Sequence, residues 1–161
     1  MDYNDDDILQ QILPVFFDKA RSQLLQANRT LLLLEQPEMP DAIRATTATD
    51  LLRLLHTIKG DAGAVGMGNI SALAHALESS MKLHRQGELL PRGGEVFSLW
   101  FQALDALSGM VERQDDTVDP AELETIKAGL AAPPKTESDE EPAKPKGKKK
   151  KAAAKSGEPS T

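Results

Sequence analysis

The chain has 161 residues, 40% apolar and 4% aromatic, with a formal charge of −6. That length suits one domain, and an apolar share carried by Leu and Ala favours helix over sheet. With no cysteine, disulfides, thiolate catalysis and cysteine-bound zinc are excluded. No apolar run approaches the ~20 residues of a membrane span, and the acidic start (Asp2, Asp5, Asp6, Asp7) is the opposite of a signal peptide, so the expectation is a soluble, cytoplasmic helical protein.

The charge divides the chain in two. Residues 133–161 hold 8 Lys against 5 acids, a net of +3, while residues 1–132 hold 11 Lys and Arg against 20 acids, a net of −9. An acidic body is poorly suited to nucleic acid, where binding rests on neutralising phosphates. The segment from Pro133 has no Leu, Ile, Val or aromatic residue and reads as a disordered Pro/Lys/Glu-rich linker or tail. A minor reading makes Lys144 to Lys155 a weak, unspecific nucleic-acid or anionic-surface patch, since no aromatic residue is interleaved for stacking.

Residues 1–132 show a helical period throughout. A first helix is expected from about Pro14, a residue tolerated in a first turn, through Phe16, Phe17, Leu24, Leu31 and Leu34 to near Pro37. The Leu31–Leu34 run suits a helix end covered on several sides. Asp41 has the position of an N-cap for a second helix carrying Leu51, Leu52, Leu55, Ile58 and Val65, ended by Gly66 and Gly68. Asn69 is placed to cap a third, with Ile70, Leu73, Leu77 and Met81, that stops by Gly87. A fourth follows the PRGG turn with Val96, Leu99, Trp100, Leu104 and Leu107; a short fifth starts at Asp119-Pro120 and ends near Leu130. Short connections between long amphipathic helices predict an all-α fold: an antiparallel up-and-down four-helix bundle plus a short fifth helix over residues 1–132.

The informative segment is LLRLLHTIKGDAGAVGMGNISALAHALE. His56, Lys59, Gly60 and Gly63 stand at i, i+3, i+4 and i+7 and share a face that the core residues Leu51, Leu52, Leu55, Ile58 and Ala62 do not occupy. Glycine inside a helix costs about 0.5–1 kcal/mol relative to Ala, so two beside a histidine need a reason, and access to the imidazole supplies one. Across the turn at Gly66–Gly68, His75 and Glu78 return to the level of Lys59 and His56, with Lys82 a turn beyond. A carboxylate on one imidazole nitrogen fixes the tautomer and leaves the other as a nucleophile, and a nearby lysine would counter the charge of an attached phosphoryl group.

HTIKGDAGAVG followed by LAHALE resembles histidine phosphotransfer (HPt) domains, and most of all the N-terminal phosphotransfer domains of CheA-type chemotaxis kinases. FFDKA at the first helix, the Leu run at its end and RQGELL after the third helix extend the resemblance over about residues 8–130. It implies that His56 is the phosphoacceptor and that Lys59 balances phosphoryl charge. It implies further that Glu78 holds the His56 tautomer, that His75 joins the hydrogen-bond network, and that Gly60 and Gly63 leave room for a partner. The partners implied are the ATP-binding domain of a histidine kinase and a CheY-like, possibly CheB-like, response-regulator receiver. ATP and Mg²⁺ would come from the kinase and Mg²⁺ from the receiver, with no cofactor or metal held by this chain. Asp61 departs from the family's usual small residue and is expected to point away from the His56 stripe.

No Walker lysine loop or kinase ATP-lid glycine box occurs in the sequence, which therefore reads as part of a CheA-like kinase or as a stand-alone phosphotransfer protein. Alternatives are a relay-inactive helical adaptor of the same fold and a weak nucleic-acid binder acting through the Lys-rich tail. His84 reads as a surface residue, Trp100 as core packing, and His75 with Glu78 as too few donors for a metal site. No uncovered apolar stripe calls for a partner copy, so the isolated domain should be a monomer.

Overall fold

The computed structural model describes residues 5–134, which contain five helices and no strand: α1 (Asp5–Leu34), α2 (Asp41–Ala64), α3 (Gly68–His84), α4 (Glu95–Arg113) and α5 (Pro120–Ala131). The expected Lys-rich patch lies outside the described residues. Helix α1 packs on α2 and α4, α2 on α3, and α3 on α4, closing an antiparallel ring of four; α5 lies against α3 and α4. The interior is built from Leu24, Leu31, Leu55, Ile58, Leu73, Leu77, Trp100 and Leu107, all buried. Each such side chain contributes about 1.5–3 kcal/mol on leaving water. Trp100 is core, as expected, and its indole N–H donates to the buried Ser80 hydroxyl at 2.9 Å. No described helix is long and apolar enough to cross a membrane.

Several helix ends differ from the expectation. Helix α1 starts at Asp5 and carries Pro14 inside it. Asp5, Asp6 and Asp7 in the first turn suit the positive end of the helix dipole, and at this exposed stretch water can take the Gln10 carbonyl that Pro14 leaves unpaired. The leucine run is covered on one side only: Leu31 and Leu34 are buried, whereas Leu32 and Leu33 are half-exposed. Asp41 is the first residue of α2 rather than its cap; extended Pro40 precedes it, and the Asp41 carboxylate instead accepts from Arg92 at 2.6 Å.

Asn69 does not cap α3. The carboxylate of Asp116, in the α4–α5 connection, accepts from the backbone N–H groups of Asn69 and Ile70, both at 2.8 Å. Asn69 donates its side-chain amide to the Asp116 carbonyl. The α2–α3 turn does follow the glycine signal: Gly66 has φ 82°, and the Met67 N–H reaches back to the Ala62 carbonyl at 2.8 Å. Gly68 opens α3. At the start of α5, Asp119 accepts from the Ala121 N–H with Pro120 in the first turn, as expected. His84 is half-buried, edge-on to Trp100 at 5.9 Å, with Nδ1 3.0 Å from the Ser80 carbonyl.

Candidate functional site

Helices α2 and α3 run antiparallel from the Gly66 turn, so His56, eight residues back from Ala64 in α2, lies level with Glu78 in α3. Small residues hold the pair close: the Ser71 hydroxyl donates to the Lys59 carbonyl at 2.9 Å, and Ser71 Oγ lies 3.5 Å from where a Gly63 Cβ would stand. Gly63 therefore faces α3, while Gly60 faces open space with nothing within 4 Å of a Cβ built on it. Only Gly60 stands clear on the solvent side of the histidine stripe.

Glu78 sits at the centre, its side chain only 4% exposed, while the His56 side chain is 66% exposed. Glu78 Oε2 is 3.2 Å from His56 Nδ1 and 3.2 Å from Lys82 Nζ; Oε1 accepts from Lys59 Nζ at 3.0 Å. Burial pushes the Glu78 pKa up, but hydrogen bonds and charge from Lys59 and Lys82 outweigh it and bring the carboxyl below its ordinary value. Glu78 is thus ionised at neutral pH. An ionised carboxylate only accepts, so the hydrogen at the 3.2 Å contact belongs to His56 Nδ1. In the neutral ring this tautomer leaves Nε2 as the nitrogen with the lone pair, on a side chain that is exposed.

The sequence had placed His56, Lys59 and Glu78 on facing stripes, and the structure brings these three together. His75 stays apart: it is exposed on α3, and no hydrogen bond links it to His56 or Glu78. Asp61 points away from the His56 stripe, as expected, and pairs with Lys19 of α1 at 2.9 Å. Lys82 was legible only as a lysine a turn beyond Glu78; the i, i+4 spacing was the signal that it pairs with the carboxylate. Ser71 had no signal in the sequence. Among the described residues, no three His, Asp or Glu side chains gather as a metal site.

A family model described as Hpt domain matches residues 11–132. The chain belongs to the Hpt domain family. Domains of this family serve phosphotransfer in two-component signalling. The Hpt domain is 34% identical over 108 residues to chemotaxis protein CheA of Bacillus subtilis (strain 168), which covers 65% of this chain and 15% of that protein. It is 32% identical over 104 residues to chemotaxis protein CheA of Treponema pallidum (strain Nichols), covering 64% of this chain and 12% of that protein. A gliding motility regulatory protein of Myxococcus xanthus is 29% identical over 125 residues, or 76% of this chain and 15% of that protein. The Hpt domain thus corresponds to less than a fifth of the length of these relatives.

Proposed function

We propose that His56 takes the γ-phosphoryl group of ATP from the catalytic domain of a CheA-type histidine kinase, in the same polypeptide or a separate one. It then passes the group to the aspartate of a CheY-like or CheB-like receiver. The observation that carries this reading is an exposed imidazole whose Nδ1 side is held by a buried, ionised carboxylate. Nε2 attacks the γ-phosphorus, the N–P bond forms as the bond to the ADP oxygen breaks, and the ring becomes a cation that keeps its Nδ1 proton. Glu78 stabilises that cation as it develops, so no separate base is needed. In the second step a receiver carboxylate oxygen attacks phosphorus, and the N–P electron pair returns to Nε2, restoring the neutral ring. Mg²⁺ and in-line geometry belong to the kinase and the receiver, which leaves this domain to present the phosphohistidine. Gly60, open beside His56, supports close approach of either partner.

The test is labelling by γ-labelled ATP with a CheA-type catalytic domain, comparing wild type with H56Q. Acid-labile, alkali-stable label on wild type, absent from H56Q and chased onto a CheY-like receiver with Mg²⁺, is the expected result. A folded wild type that several such kinase domains leave unlabelled would overturn the relay.

A further inference from the structure

Two lysines meet one carboxylate at this site, and they are not equivalent. Lys59 is 26% exposed and bonds Oε1, an oxygen it does not share with His56. Lys82 is 53% exposed and competes for Oε2, the oxygen that also faces His56 Nδ1. When a phosphoryl group joins Nε2 the ring becomes cationic, and its Nδ1–H binds Oε2 more strongly. The claim of Lys82 on that oxygen weakens at the moment when an anionic group with three acceptor oxygens appears beside it.

We propose that Lys82 is a phosphoryl-binding residue, which exchanges Glu78 Oε2 for the phosphoryl oxygens as His56 is phosphorylated, while Lys59 stays on Oε1 and keeps Glu78 in place. This rests on the relay reading above. Charge supports it: Lys59, Lys82 and Glu78 sum to +1 before transfer, so the site attracts the γ-phosphate. After transfer they and the cationic ring sum to +2 and balance a dianionic phosphoryl group, whereas without Lys82 half of its charge would stand uncompensated. A long side chain, more than half exposed, can make the exchange without moving either helix.

The experiment measures the rate of labelling of the full chain by a CheA-type catalytic domain for wild type, K82Q, K82R and K127Q, at low and at high salt. K127Q removes the same charge from α5, a helix that does not touch α2. At low salt K82Q should be about fivefold slower, as expected for one exposed charge contact. K82R and K127Q should match wild type, and high salt should bring K82Q and wild type together, because screening removes an exposed charge effect. K82Q equal to wild type at low salt, a K82Q defect that salt does not change, or an equal defect in K127Q would each overturn the role of Lys82 and leave the relay standing. An unlabelled wild type would overturn both.

Discussion

A carboxylate 4% exposed between two helices would ordinarily take up a proton, and Glu78 stays charged because Lys59 and Lys82 both reach it. Its pKa is lower in the folded chain than in the unfolded one. It therefore contributes stability that is fully present above the ordinary carboxylate range, about 4.3, and is lost as pH falls through the depressed value. E78Q removes this contribution, so its stability should change less than that of wild type across that acid window, as urea midpoints against pH would show. The same substitution replaces a charged acceptor at Nδ1 with a neutral one. Labelling of His56 should slow by about 10–100-fold, the worth of a charged hydrogen bond, with the helical spectrum retained.

At the scale of the element, the position of α3 decides whether Glu78 meets His56. Its N-terminus is held by Asp116, whose carboxylate takes two backbone N–H groups from across the α4–α5 connection. D116A should cost about 1–2 kcal/mol in chemical denaturation, the usual size of a lost N-cap. Amide exchange should quicken first at Asn69 and Ile70. Asp119, which caps α5, was readable because cap and helix are neighbours in sequence; Asp116 was not, because 47 residues separate it from Asn69.

Over the whole molecule, a buried guanidinium ties three segments to one point. Arg44 is 1% exposed and donates to the carbonyls of Leu34, Leu90 and Pro91, joining the end of α1, the start of α2 and the α3–α4 loop. Burial, then the charge of Arg92, lowers its pKa, yet a guanidinium remains charged at any physiological pH. Arg92 pins the same loop from outside, through the carbonyls of Pro37 and Met39 and the Asp41 carboxylate. R44A leaves buried carbonyls unpaired and a cavity behind, so a loss of about 3 kcal/mol is expected from urea or thermal unfolding. His56 lies far from that end of α2, so labelling measured well below the unfolding midpoint should persist.

The sequence by itself determined the five helices and the face of α2 that carries His56, because both rest on local periodicity. Leu51, Leu55, Ile58 and Ala62 mark one face of α2, and His56, Lys59 and Gly60 fall on another whatever α2 packs against. It also placed Glu78 and His75 on one stripe of α3. Only the tertiary structure decided which of the two faces His56, since residues three apart differ by about 60° around a helix and the packing of α3 on α2 sets the rotation. That rotation buries Glu78 and leaves His75 in solvent, while Lys82 meets the carboxylate along α3 itself, at i, i+4. The caps and clamps supplied by Asp116, Arg44 and Arg92 stayed hidden for the same reason: their partners are distant in sequence and adjacent only once the bundle has closed.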